Sequence, residues 1–201
     1  MDESVLYHDG NRALQEAFHS RPIADRLEAV TMHRRFTEHD RAFIESSIYF
    51  FLATADAAGR PDVSFKGGPA GFVRVTGPSE IAFPDYDGNG MFKSLGNLSV
   101  NPHVGLLFIA LHGRPRRLRV SGTARIGRDD PLLASTVGAQ LIVRVEARAI
   151  FPNCPRYIPS MELVAESRFA PRAGQDLVEP GWKSEDEFAD VIHPRAPTYR
   201  G

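Results

Sequence analysis

The chain has 201 residues, of which 42% are hydrophobic and 24% charged, as in an ordinary globular protein. A formal net charge of −1 provides no field that would recruit nucleic acid or a membrane, and one cysteine excludes an intramolecular disulfide framework and a conventional zinc site. The longest apolar run, residues 48–55, falls far short of the about 20 residues that span a bilayer. With no signal-peptide pattern either, we expect a cytoplasmic protein without a metal.

Residues 1–46 are predicted to form an N-terminal helical arm. Their apolar residues recur at roughly helical spacing, with an interruption near Pro22. A second short helix is expected after Thr37, a plausible N-cap residue. We expect the arm to pack on the rest of the domain or on a partner subunit. The apolar residues are Leu14, Phe18, Ile23, Leu27 and Val30.

From residue 48 the pattern changes to short apolar runs separated by Gly, Pro, Asp and Asn, which is typical of strands. So many short strands predict a mainly β protein, an antiparallel β-barrel with flanking helices, over residues 47–152. The tail, residues 153–201, is expected to carry a helix over residues 160–166 and to pack on the barrel or a partner. The predicted strands are 48–56, 62–66, 71–76, 80–84, 104–111, 116–126 and 141–151.

One segment between the strands has a different pattern. Phe92, Leu95 and Leu98 recur at a three-residue step, which predicts a short helix over residues 91–100 that ends at Asn101-Pro102. A Gly- and Asn-rich loop precedes it. Because a helix N-terminus carries free N–H groups and a positive dipole end, we expect an anion site in front of residues 89–93.

Two other interpretations of the chain fit less well. The run 85–90 matches the first half of a calcium loop, but the twelfth position, which requires Glu, is Gly96. The basic row Arg114, Arg116, Arg117 and Arg119 has no interleaved aromatic residues of the kind that bind single strands, so we expect no nucleic acid partner. The row fits either a solvated or dimer-contacting strand or the binding of a ligand's anionic or carbonyl groups.

The remaining polar residues form a distributed set. Arg60, Ser64 and Lys66 surround the second strand, and Lys93 and Ser94 begin the inserted helix. Two lysines beside a helix N-terminus suit a phosphate monoester. Donors along an exposed strand suit the edge of a planar heteroaromatic ring.

In the order and spacing of its segments, the chain resembles the pyridoxamine 5′-phosphate oxidase-like FMN-binding split barrels. The resemblance covers roughly residues 43–151 and implies a six- to seven-stranded antiparallel Greek-key barrel with FMN at a homodimer interface. The segments that carry it are FLATA (51–55), GRPDVSFK (59–66), GFV (71–73), residues 88–102, VGLLF (104–108) and RLRVSGTA (117–124).

The resemblance also assigns roles to residues. Lys93 and Ser94 would hold the phosphate, aided by Asn89 or Asn97, and Arg117 would reach the ring from the partner subunit. Phe83 and Pro84 match the strand that flanks the flavin, and Trp182 matches an aromatic residue placed over the cofactor. The second-strand residues would line the ribityl chain, ring edge or phosphate: Arg60, Val63, Ser64, Phe65 and Lys66.

These assignments imply an FMN-dependent oxidoreductase that acts on an unidentified small molecule, with NADH or NADPH as a candidate electron donor. In such a protein the flavin carries the redox chemistry and the protein orients it. FMN ranks ahead of F420 and FAD. The substrate-binding segment of the vitamin B6 oxidases finds no convincing match in residues 195–200, so we expect no turnover of pyridoxamine phosphate. The alternative is a non-catalytic flavin- or F420-binding carrier or sensor.

Overall fold

The computed structural model describes residues 4–110, 113 and 115–192. Three parts of the sequence discussed above lie outside the described residues. These are Arg114, the segment 195–200, and residue 111, which ends a predicted strand. Within the described part of the chain, no helix has the length and apolar character needed to cross a bilayer.

Three helices precede the sheet, and side chains cap the starts of the first and the third. Helix α1 spans Asp9–Ala17, α2 spans Arg21–Thr31 with Pro22 in its first turn, and α3 spans Glu38–Ser46. The predicted N-cap at Thr37 is confirmed, because its hydroxyl accepts a hydrogen bond from the Asp40 N–H in a capping box.

Seven strands and one further helix follow, close to the predicted positions. Two 3₁₀ turns, Pro131–Ser135 and Gly181–Ser184, had no counterpart in the sequence prediction. The elements are β1 Tyr49–Ala55, β2 Pro61–Gly67, β3 Arg74–Val75, β4 Glu80–Tyr86, α4 Lys93–Val100, β5 His103–Ala110, β6 Arg116–Gly127 and β7 Ala139–Pro152.

The strands form one sheet in the order β2-β1-β5-β6-β7-β4-β3, and every pairing is antiparallel. The predicted fold class, a mainly β split barrel with flanking helices, is confirmed. The sheet is not closed by backbone hydrogen bonds, since β2 and β3 are its two edges. The open side between β2 and β4 is where the polar residues of the site lie.

The core lies inside the curved sheet. Along β1 the side chains of Phe50, Leu52 and Thr54 point inward, as strand alternation requires. The rings of Phe83 and Phe108 lie 4.9 and 5.2 Å from that of Phe50. Helix α4 closes one end of this core through Leu95 and Leu98, both buried. Packing of α4 on the core therefore fixes the position of its N-terminus.

A buried carboxylate joins the arm to the sheet. Asp40 accepts hydrogen bonds from Thr37, lies 2.8 Å from His33 Nε2, and pairs with Arg116 of β6 at 3.3 Å. Burial alone would raise the pKa of Asp40, but the hydrogen bonds from Thr37 and His33 outweigh it and lower the pKa. In contrast, the apolar residues predicted to pack in α1 and α2 are exposed in the single chain: Leu14, Phe18, Ile23, Leu27 and Val30.

The helix predicted over residues 160–166 is wrong, because this segment has no regular secondary structure. Its apolar side chains Met161, Leu163 and Val164 are exposed. A seven-residue helix is too short to be stable without a packed face, and these side chains are not packed within the described chain.

A β-bulge between β6 and β7 supplies a stability prediction. The strand register shifts between Ser121 and Gly122, and a Cβ atom at Gly122 would overlap the backbone carbonyl of Glu146. Gly122→Ala is expected to lower the free energy of unfolding by about 2–4 kcal/mol, measured by chemical denaturation. Gly105→Ala is the matched control, because its Cβ would meet only Ala53 Cβ at 3.7 Å. Equal stability of the two variants would contradict the bulge geometry.

Candidate functional site

A cavity of about 340 Å³ lies at the open side of the barrel. Its walls come from β2, the end of β4, the loop at residues 88–92, the first turn of α4, and Gln140 of β7. We call it the strand cavity. Six of the predicted site residues line it: Val63, Ser64, Lys66, Asn89, Lys93 and Ser94.

Strand alternation along β2 decides which side chains face inward. Asp62, Ser64 and Lys66 share one half-buried face, as the two-residue period requires. Val63 and Phe65 share the other face and are 67% and 62% exposed. The face toward the cavity is therefore polar, and the outer face of this edge strand is apolar.

An ion pair crosses the opening of the sheet. Lys66 Nζ lies 3.5 Å from Asp85 Oδ1, and both side chains are largely buried. Gln140 Nε2 donates to Asp85 Oδ2 at 2.9 Å and to the Tyr86 carbonyl at 3.1 Å. These contacts join β2 to β4 and β7, where no backbone hydrogen bond does so.

The first turn of α4 presents free donors to the cavity. Phe92, the N-cap residue, has a left-handed backbone (φ 48°) and gives no side-chain cap, and its carbonyl accepts the first helical hydrogen bond from Gly96 N–H at 2.6 Å. The N–H groups of Lys93, Ser94 and Leu95 therefore have no acceptor among the described residues. All three residues line the cavity, so its end has the polarity that attracts an anion.

The side chains of this first turn differ in their contacts. Ser94 Oγ donates to Asp62 Oδ2 at 3.3 Å and is buried. Lys93 is exposed and has no ion-pair partner in the described chain. Asn89 shapes the preceding loop, since its Oδ1 accepts from Met91 N–H at 3.1 Å. Lys93 is thus the cation of the cavity that remains available to a ligand.

Tyr86 forms part of the same wall. Burial raises the pKa of its phenol to about 12, against a smaller opposing effect of Arg74. The hydroxyl stays protonated at any physiological pH, so it can donate a hydrogen bond but cannot serve as a base.

A second, apolar cavity of about 730 Å³ adjoins the first, and we call it the tail cavity. It shares the loop at residues 88–92 and is completed by Trp182, Lys183, Phe188, Val191 and Ile192. Lys183 is ion-paired with Asp87 and, at 2.8 Å, with Glu179. The predicted site residue Trp182 therefore lies beside the strand cavity, with its ring 5.6 Å from that of Phe188.

Six predicted site residues line neither cavity. Arg60 is exposed and lies 3.6 Å from Asp56, and Phe65 stacks on Tyr49 with ring centres 5.3 Å apart. Phe83 and Pro84 are buried, and Asn97 donates to Thr54 Oγ1 at 3.0 Å beneath α4.

Arg117, the sixth, keeps a buried Nε without a hydrogen-bond partner among the described residues. For the surface residues Arg60, Phe65 and Arg117, contact with a flavin shared between two copies stays a prediction.

Four polar residues that line the strand cavity were not predicted as site residues from the sequence: Asp62, Asp85, Tyr86 and Gln140. Asp62 could have been found, because it lies two residues before Ser64 on the same strand face. Asp85 and Tyr86 were examined only as part of a calcium loop. Across the described residues no group of three His, Cys, Asp or Glu side chains could hold a metal ion.

Comparison with known proteins gives one family match. The family model described as pyridoxamine 5′-phosphate oxidase matches residues 36–166, which is more than half of the chain. No curated protein sequence matches the chain significantly.

Several solved structures resemble the chain weakly. A putative pyridoxamine 5′-phosphate oxidase from Lactobacillus delbrueckii is 23% identical, with 61% of this chain and 99% of that chain covered and a TM-score of 0.47. HupZ from Group A Streptococcus is 18% identical, with coverages of 58% and 93% and a TM-score of 0.47. An FMN-binding protein from Syntrophomonas wolfei is 13% identical, with coverages of 70% and 97% and a TM-score of 0.46.

The two lysines of the strand cavity are expected to respond differently to mutation. Lys66→Met leaves the carboxylate of Asp85 without its cation and is expected to lower the free energy of unfolding by about 1–3 kcal/mol. Lys93→Met removes no contact and is expected to change the free energy of unfolding by less than about 0.5 kcal/mol. Chemical denaturation of both variants measures the difference. A Lys66 variant as stable as the Lys93 variant would show that the ion pair does not hold the opening together.

Proposed function

The chain belongs to the pyridoxamine 5′-phosphate oxidase family, and on this premise we propose that it binds FMN in the strand cavity and acts as an FMN-dependent oxidoreductase on a small molecule. One observation carries the proposal: three N–H groups of α4 without an acceptor, and Lys93 without an ion-pair partner, among the described residues, belong to residues that line this one cavity. This arrangement suits a phosphate monoester, which has two negative charges and several acceptor oxygens.

The residues of the cavity fit the phosphate end of FMN. Asp62 and Asp85, the carboxylates that would repel a phosphate, already accept hydrogen bonds from Ser94 and Gln140, and Asp85 is also paired with Lys66. The hydroxyl of Ser94 is neutral and leaves the charge of Asp62 uncompensated, so the attraction for a phosphate comes from Lys93 and the helix N-terminus and is opposed by Asp62. The cavities of about 340 and 730 Å³ both lie in the range of about 300–1,000 Å³ that small-molecule sites occupy.

The edge strand β2 suits the rest of the cofactor. Among the described strands its one partner is β1, so within that part of the chain the backbone groups on its other edge remain available to a ligand. Ser64 adds a hydroxyl on the cavity face, and Tyr86 adds a phenol that stays protonated. When bound, FMN would supply the hydride or electron transfer, and these groups would orient it.

A homodimer follows from the same geometry as part of the proposal. The outer face of β2 exposes Val63 and Phe65, and the arm exposes apolar side chains on α1 and α2. A second copy that covers these faces would remove apolar area from water. In such a dimer, the family resemblance predicts that Arg117 of one copy reaches the cavity of the other. A monomer at micromolar concentration on a sizing column would contradict this part.

A non-catalytic flavin- or F420-binding carrier or sensor is the second candidate. It is favoured by the described lining of the strand cavity, where no His or Cys is found, Lys66 and Asp85 are paired with each other, and Tyr86 cannot act as a base. Stopped-flow reduction of the FMN-loaded protein by NADH or NADPH, followed by a screen of electron acceptors, separates the two. Multiple turnover supports the oxidoreductase, and its absence with every acceptor supports the carrier.

The direct test is a visible absorption spectrum of the purified protein incubated with FMN, with the bound molecule identified by mass. We expect a flavin spectrum at about one FMN per subunit. A colourless protein that takes up no FMN at micromolar concentration would overturn the proposal.

Lys93→Ala is expected to weaken FMN binding by about 1–3 kcal/mol, or roughly 5- to 150-fold in Kd, through the loss of a charge-assisted hydrogen bond. Titration of FMN fluorescence measures the affinity. Arg128→Ala is the charge-matched control, because Arg128 is exposed and lines neither cavity. An unchanged affinity of the Lys93 variant would mean that the phosphate is held elsewhere.

A further inference from the structure

We infer that the tail cavity binds an uncharged aromatic compound and that this is the chemical class of the substrate. The substrate role rests on the proposed FMN site, whereas binding itself does not. The lining of this cavity is dominated by the rings of Phe92, Trp182 and Phe188 and by aliphatic side chains.

The rings favour a planar aromatic ligand. Trp182 and Phe188 stand nearly perpendicular, at 89°, with centres 5.6 Å apart. A third ring placed between two perpendicular rings can stack on the face of one and contact the edge of the other. Both arrangements are favourable. The cavity is large enough for a fused-ring compound, at about 730 Å³.

The charges favour a neutral ligand. Among the residues that the structure describes, Lys183 is the one ionisable residue of the lining, and its ammonium is already paired with Asp87 and Glu179. An anionic ligand would therefore lose its hydration without gaining a free cation, which is costly in apolar surroundings. The same ion pairs fix the 3₁₀ turn Gly181–Ser184 against the loop, so the cavity walls are held in place.

The position of the cavity connects it to the proposed chemistry. The loop at residues 88–92 lines both cavities, and Met91 and Phe92 of that loop belong to each. A ligand in the tail cavity would thus lie beside a cofactor in the strand cavity. Electron or hydride transfer requires that the cofactor and the molecule that reacts with it are held next to each other.

The test uses Trp182, the one tryptophan of the chain, as its own reporter. The full-length protein is titrated with 2-acetylnaphthalene while the tryptophan fluorescence lifetime is recorded, and calorimetry gives the affinity. The nearly isosteric 2-naphthoate carries a negative charge and serves as the matched ligand. We expect 2-acetylnaphthalene to shorten the lifetime with saturation and to bind at least about tenfold more tightly than 2-naphthoate.

Two variants localise the binding. Val191→Asp puts a carboxylate into the wall of the tail cavity and is expected to weaken the binding of 2-acetylnaphthalene by at least about tenfold. Val164→Asp makes the same change in the tail at a side chain that is 95% exposed and outside both cavities, and is expected to leave the affinity unchanged. Circular dichroism checks that both variants keep the fold.

Several outcomes would overturn the inference. These are no saturable lifetime change, equal binding of the two naphthalenes, or equal effects of the two variants. Binding that appears only after residues 193–201 are removed would show that the chain itself fills the cavity. A lifetime that changes with protein concentration alone would identify a second copy as the occupant.

Failure of this inference is distinguishable from failure of the FMN proposal, because the naphthalene titration needs no cofactor. In the FMN-loaded protein, the same titration is expected to shift the flavin absorption band. Binding without such a shift would overturn the substrate role.

Discussion

The barrel is open along one side, and polar side chains rather than backbone hydrogen bonds hold that opening. Lys66 on β2 reaches Asp85 on β4, and Gln140 on β7 fixes the carboxylate from the other direction. Since β2 and β3 are the edges of the sheet, these side-chain contacts, together with the packing of Phe83 on Phe50 in the core, set the separation of β2 from β4. The strand cavity is the space that they leave between β2 and the first turn of α4.

This arrangement separates the roles of two lysines that look equivalent in the sequence. Lys66 is neutralised by Asp85 and holds the opening together, whereas Lys93 is exposed and unpaired among the described residues. An anion that enters the cavity meets one free ammonium and the N–H groups of α4. The helix therefore matters as much as the side chains, and its position is fixed by Leu95 and Leu98 in the core.

The sequence predicted most of the fold because its signals are local. Gly, Pro and Asn mark the strand ends, and Thr37 with Asp40 marks the start of α3. The site was predicted less completely. Gln140 reaches the cavity only through the pairing of β4 with β7, which no local pattern reveals.

Side-chain direction was the second obstacle to predicting the site. Phe83 and Asn97 lie on the right elements, but their side chains point into the interior, where Asn97 bonds Thr54. The helix predicted over residues 160–166 is absent because its apolar side chains are exposed in the described chain rather than packed.

The backbone of Phe92 has a consequence for how the two cavities communicate. A bulky residue at φ 48° is strained, so the loop that ends there holds its shape only while its surroundings impose it. That loop is a common wall of both cavities. Ligands in the two cavities would therefore be thermodynamically linked. If the first ligand changes the affinity for the second by some factor, the second changes the affinity for the first by the same factor.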